Sequence, residues 1–175
     1  MNRFFLSLLM LYVTSIAWAD VEINEKNFPD PNFRNWILSQ PFGKDGVLSD
    51  KEIADITEMN VSNKNIHDLK GIEYFTALES LNLDKNQVKY IDVSKNKELA
   101  YLRVEWNQLT SLDVSKNEAM RFLMCGGNSL TELNTSGCTA LERIRCWHNQ
   151  FNGATMDSLI RNLPIVTTAE LCIRS

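Results

Sequence analysis

The side chains that could do chemistry in this chain fall into three small sets. His67 and His148 are the only imidazoles, and they stand too far apart along the chain to act together. Cys146 and His148 are two residues apart, a spacing that would suit a nucleophile and its base if both faced the same way out of the fold. Lys44-Asp45-Gly46-Val47-Leu48-Ser49-Asp50-Lys51-Glu52 has the glycine turn and closing carboxylate of the second half of a calcium loop. Its first half lacks ligands, because Pro41 and Gly43 stand where carboxylates or amides are needed. The segment therefore reads as a turn between two helices, and neither metal nor cofactor is expected. The remaining set suits recognition: Tyr101, Arg103, Trp106, Phe122, Met124, Arg143, Arg145 and Trp147. Aromatic side chains, methionine and arginine are the types enriched at protein interfaces.

What must position these residues is a repeat. Leu78, Leu99, Met120 and Leu141 open four blocks, each starting 21 residues after the one before, and each block fits L-x-x-L-x-L-x-x-N-x-L, the leucine-rich-repeat signature. The slots are Leu81, Leu83, Asn86 and Val88, then Leu102, Val104, Asn107 and Leu109. Next come Leu123, Cys125, Asn128 and Leu130, then Ile144, Cys146, Asn149 and Phe151. The second and third apolar residues of each block are two apart, so they share one side of a short strand. Ile91 with Val93, and Leu112 with Val114, line the return path. A single coil buries nothing, so stability comes from stacking and the ends need caps. The asparagines leave the strand where backbone groups turn inward, and a ladder of Asn86, Asn107, Asn128 and Asn149 would satisfy groups that otherwise cost roughly 1–3 kcal/mol each.

This register decides the other readings. Cys125 and Cys146 take the same inward slot in consecutive coils, where Leu83 and Val104 stand earlier, so they read as small core residues. That turns Cys146 away from His148, and the chain is not read as an enzyme. Cys138 takes the return slot of Asn96 and Asn117, and Cys172 lies in the tail; whether either pairs is left open. The outward positions are Ser80, Asn82 and Asp84; Tyr101, Arg103 and Glu105; Phe122, Met124 and Gly126; Arg143, Arg145 and Trp147, with Trp106 just past its strand. Five large apolar side chains and three arginines on one sheet face exceed what solubility requires. Arginine is sparse elsewhere, so the face is expected to be basic and to favour an acidic partner surface.

Residues 1–19 read as a secretory signal: Asn2 and Arg3, an apolar run from Phe4 to Ile16, then Ala17-Trp18-Ala19 before Asp20. The run is shorter than the roughly 20 residues of a membrane span, no cysteine follows the cleavage point, and no later stretch is apolar enough to span a membrane. The chain holds 18 basic and 22 acidic residues, net −4. Cleavage removes one arginine, and the resulting acidic chain argues against nucleic acid as a partner. Residues 20–55 form a helical N-terminal cap, with Asp30-Pro31 starting one helix and Ser49 and Glu52 forming a capping box for another. Residues 56–153 are the repeats, beginning with a divergent coil (Ile56, Met59, Val61, Ile66, Leu69, Ile72, Phe75) whose asparagine slot holds Lys64. Residues 154–175 form a C-terminal cap, with a helix over Thr155 to Leu163 that Pro164 ends and a strand over Ala169 to Ile173.

These residues carry a resemblance. Units such as Leu109-Thr110-Ser111-Leu112-Asp113-Val114-Ser115-Lys116-Asn117, the segment Ile66 to Phe75 and the Phe28-Pro29-Asp30 cap resemble the secreted bacterial leucine-rich-repeat proteins of the internalin type. The resemblance covers nearly all of the chain after the signal. It implies an α/β repeat solenoid with a parallel concave sheet, export to the periplasm, cell surface or exterior, and recognition of a protein or a glycan. Larger members often carry an anchoring segment after the repeats, and none is read here. The first reading is a non-enzymatic module that binds a protein, host or cell-surface, through its concave face. The second is a glycan-binding adhesin in which Trp106, Trp147 and Tyr101 stack on sugars.

Overall fold

A computed structural model describes residues 20–155, residue 157 and residues 171–172. The signal reading of residues 1–19 lies outside them, as do most of the expected C-terminal helix and all but two residues of the strand after it. Within the described part, residues 153–155 and 157 are helical and Leu171–Cys172 is a strand.

The chain is a parallel solenoid of about four turns. Its principal sheet is six-stranded and parallel. The strands are β3 (Glu58–Asn60), β4 (Ser80–Asn82), β5 (Tyr101–Arg103), β7 (Phe122–Met124), β9 (Arg143–Arg145) and β10 (Leu171–Cys172), adjacent in that order. From β4 to β9 every residue pairs with its equivalent 21 positions on, so Leu81, Leu102, Leu123 and Ile144 form one inward row, all of them buried. Leu83, Val104, Cys125 and Cys146 make the next inward row, also buried. Burial pushes the Cys125 thiol well above its usual range, as expected of a cysteine that packs rather than reacts.

The return path is more ordered than the sequence suggests. Ser111–Asp113 (β6) and Glu132–Asn134 (β8) form a second parallel pair with Leu112 and Leu133 turned inward.

Two amide ladders run through the stack. On the strand side Asn107 donates to Leu83 O in the preceding coil (3.0 Å) and to Val104 O in its own (3.3 Å), and accepts from Val88 N (3.1 Å). Asn128 and Asn149 repeat the pattern. Asn86 extends it into the divergent coil, accepting from Lys64 N and Ile66 N at 3.0 Å and donating to Val61 O. The lysine in the first asparagine slot is thus served by the next coil. The second ladder lies on the return side, where fully buried Asn96 donates to Ile72 O and Phe75 O, and Asn117 to Val93 O and Asn96 O. Cys138, in the next coil, reaches only Val114 O.

The N-terminal cap holds both expected helices, α1 (Pro31–Ser39) and α2 (Asp50–Asp55), the latter with the full Ser49–Glu52 capping box. A wholly helical cap is corrected: Val21–Glu22 (β1) pairs antiparallel with Val47–Leu48 (β2), and Pro41–Gly43 is a 3-10 turn. Gly46, at φ +86°, reverses the chain into β2, a conformation that costs glycine little. Phe28, Phe33, Ile37 and Leu48 are fully buried. Phe28 lies over Gly71, where a Cβ would fall 2.2 Å from its ring, and its ring is 6.4 Å from that of Phe75 in the first coil. Asp30 does double duty. One carboxylate oxygen caps α1 through Asn32 N and Phe33 N, and the other accepts from His67 N at 2.8 Å, fastening the cap to the divergent coil.

Candidate functional site

The outward residues of the principal sheet form rows, because parallel in-register strands place equivalent positions one strand spacing apart. The first row is Ser80, Tyr101, Phe122 and Arg143, and the second is Asn82, Arg103, Met124 and Arg145. Continuing each coil by two residues gives Asp84, Glu105, Gly126 and Trp147. The next position gives Lys85, Trp106, Gly127 and His148, all with positive φ. Glycine adopts that conformation freely and tryptophan does not, so Trp106, at φ +56°, is held there by its surroundings.

Two aromatic groups result. At the strand starts Tyr101 and Phe122 stack face to face, centroids 5.0 Å apart and planes 7° apart. Arg121 and Arg143 lie over the Phe122 ring at 5.7 and 5.8 Å. Past the strand ends Trp106 and Trp147 meet edge to face at 5.1 Å, and the rings of Trp147 and His148 stand nearly perpendicular, also at 5.1 Å. Gly126 and Gly127 are the floor of this pair. A Cβ on Gly126 would lie 2.5 Å from the Trp147 ring, and one on Gly127 2.9 Å from Trp106. Trp106 remains 52% exposed and Tyr101 39%, so each group offers a ring to solvent.

Between the groups lies a charge cluster. Buried Asp84 accepts from Glu105 N (2.8 Å) through one carboxylate oxygen and from Arg103 Nε and Nη2 (2.9 and 2.6 Å) through the other. Glu105 is 3.8 Å from Arg103 Nη2. Burial first, and the Asp84 charge second, raise the Glu105 carboxyl above its usual range, opposed by the Arg103 and Arg145 charges. Arg121 pairs with Glu142 at 2.6 Å and bonds the Tyr101 hydroxyl. The expectation of a basic face is corrected here: Asp84, Glu105 and Glu142 sit among the arginines and cancel much of their field.

All eight residues singled out for binding lie on this face. The structure brings Tyr101 to Phe122 and Trp106 to Trp147, the first pair on the strands and the second past their ends. Sequence reading missed the parts played by Arg121, Asp84, Glu105 and the glycine pair. Their signal was available, since Arg121 and Glu142, like Asp84 and Glu105, occupy equivalent positions of neighbouring coils. In the cap, Glu52 spends its carboxylate on Ser49 N and Oγ. Among the described residues no group of three or more His, Cys, Asp or Glu side chains could hold a metal ion, and no helix is long and apolar enough to cross a membrane.

No family model matches the chain. Internalin C of Listeria monocytogenes is 39% identical over 59 residues, which are 32% of this chain and 20% of that protein. Among solved structures, the functional domain of InlJ from the same organism, described as including a cysteine ladder, is 28% identical with a TM-score of 0.54; the match covers 77% of this chain and 34% of that one. The internalin InlF is 24% identical with a TM-score of 0.62, over 75% of this chain and 40% of that one, and bears on the fold alone. The chain spans 20% of the length of internalin C, 34% of the InlJ domain and 40% of InlF.

Proposed function

We propose that this internalin-like leucine-rich-repeat chain is an exported recognition module that holds a protein partner on its concave face. One observation carries the reading. Inward rows repeat from coil to coil because each does the same packing job, whereas the outward strand rows change at every coil and collect rings, methionine and arginine. An aromatic pair at each end of the strands gives two anchors, and flanked, partly desolvated rings are the usual interface hot spots. The sequence relation to internalins supports a protein-binding role. A native pull-down tests it, with one stable protein partner expected for the unaltered chain and none for Tyr101→Ala or Trp106→Ala.

The edge-to-face tryptophan pair, with Trp106 52% exposed, keeps as the second reading a glycan-binding adhesin that uses Trp106, Trp147 and Tyr101. Hits on a glycan array that vanish with Trp147→Ala, and no protein partner, would favour it. Export rests on residues 1–19, and N-terminal sequencing of the product from a secreting cell is expected to begin at Asp20.

A further inference from the structure

The principal sheet ends differently on its two sides. Beyond the last repeat strand β10 pairs in parallel with β9, whereas no described strand lies on the far side of β3. Thr57 O accepts from Glu79 N and Ser80 N, and Val61 N donates to Asn82 O, so these groups point toward β4. Successive residues of a strand in a parallel ladder direct their N–H and C=O to alternate edges, which sends those of Glu58 and Asn60 the other way. No hydrogen bond among the described residues uses any of these groups, and both residues are exposed. We propose that the free edge of β3 is a docking site for an extended, basic segment of a partner protein, which adds to the sheet as a further strand.

The surroundings favour such a segment. A groove of about 540 Å3 is lined by Trp36, Gln40 and Phe42 of the cap together with Glu58, Met59 and Asn60, the whole of β3. Its cap side is held in place: Trp36 and Phe42 meet edge to face at 6.4 Å, and Gln40 Nε2 donates to Trp36 O at 3.1 Å. A groove formed in advance spares the cost of ordering it on binding. An extended chain carries what the edge lacks, since every second residue turns a carbonyl and an N–H toward it, and main-chain bonds of this kind give strand addition its affinity. The side chains of the added strand alternate between two faces. One set falls beside Glu58 and Asn60, and Glu58 has no ion pair among the described residues. Opposite charges on neighbouring strands stabilise the pair and like charges oppose it, so lysine or arginine belongs there. A second copy of this edge would bring a second glutamate and is the poorer match. The other set falls on the side of buried Met59 and suits apolar residues. The site stands apart from both aromatic groups and does not depend on what they hold.

The test selects short peptides from a random displayed library against the chain. Selected sequences are expected to alternate basic and apolar residues. In a synthetic copy of the tightest binder, methylation of single backbone nitrogens should weaken binding about tenfold or more at every second position and spare the positions between, a period that recognition through side chains alone does not give. Glu58→Lys should weaken the basic peptide and strengthen the same peptide with glutamate in its basic positions. Asn60→Pro removes one outward N–H and should abolish binding; far-UV circular dichroism reports whether that variant folds, and the methylation scan decides the matter if it does not. Tyr101→Ala and Trp106→Ala should bind the peptide as the unaltered chain does, which separates this site from the one proposed above. No enriched peptide, a methylation scan without a two-residue period, or binding indifferent to Glu58→Lys would each overturn the proposal. A dimer in sedimentation that Asn60→Pro dissolves would overturn it too, by assigning the edge to a second copy.

Discussion

The two outer faces of the solenoid are made by the same coils, yet they use their side chains differently. On the return face one position reads Asp92, Asp113 and Asn134, and two residues on it reads Ser94, Ser115 and Ser136. In each coil the Asp or Asn oxygen accepts from the serine N–H, at 2.9, 2.8 and 3.2 Å. One large ring, Tyr90, is exposed on that face. On the strand face the rows read Ser80, Tyr101, Phe122 and Arg143, then Asn82, Arg103, Met124 and Arg145, with no residue used twice in the first. Repetition follows backbone need: where the chain turns the same way in every coil, the same side chain satisfies it. Where the sheet already pairs the backbone, side chains are free to differ, and a surface with individual character can be built there.

The sharpest way to break this contrast is to remove a repeated inward group. Asn107→Ala leaves Val88 N without its acceptor and takes one donor each from Leu83 O and Val104 O, which keep those of Asn86 and Asn128. At roughly 1–3 kcal/mol for a buried orphan, urea denaturation should show a loss of about 1–3 kcal/mol. Leu102→Ala and Leu123→Ala should cost about 2–5 kcal/mol through the cavities they leave.

Outward substitutions should reverse the pattern. Tyr101→Ala, Trp106→Ala and Arg145→Ala are expected to weaken partner binding by about 2 kcal/mol each while unfolding midpoints barely move. Phe122→Ala should combine the same binding loss with about 1 kcal/mol of stability, since its ring stacks on Tyr101 and lies under two guanidiniums. Equal destabilisation by inward and outward changes would erase the distinction between the faces. Gly126→Ala sharpens it further. A single methyl must displace the Trp147 ring, so binding through the tryptophan pair should fall although no side chain has been removed.

The smallest effects belong to the return face. Asp113→Ala should leave partner binding unchanged and shift stability at pH 7 by under about 0.5 kcal/mol, as for most surface substitutions. Its pH dependence carries a sign. Burial pushes the Asp113 carboxyl up, but hydrogen bonds from Ser115 and Asn134 together with the Lys116 charge outweigh it; Asp92 is likewise lowered, chiefly by Ser94. A carboxyl lowered on folding contributes stability that is present above its unfolded value of about 3.9 and is lost as pH falls through the lower folded value. Glu105 is shifted the other way, so its contribution is present at low pH and lost as pH rises through the raised value. Melting temperatures from pH 7 to pH 3 should therefore fall less steeply for Asp113→Ala than for the unaltered chain, and more steeply for Glu105→Gln.

The sequence by itself determined the period, the inward slots, the asparagine ladder, the two cap helices and the outward direction of every residue named for binding. Each follows from a local rule: alternation along a strand, a fixed 21-residue step, a capping box. The tertiary structure decided what those outward residues meet. It set carboxylates among arginines that had read as a basic face, because Asp84 and Arg103 come from neighbouring coils. It stacked Tyr101 on Phe122 and set Trp106 edge to face with Trp147, contacts between coils that no single coil shows. It added the β1–β2 pair, the β6–β8 pair and the grip of Asp30 on His67 N, which join segments distant in sequence. The seating of Trp147 across Gly126 shows why such features were not legible one residue at a time. The two residues are 21 positions apart, and the ring lies there because the residue beneath it is a glycine.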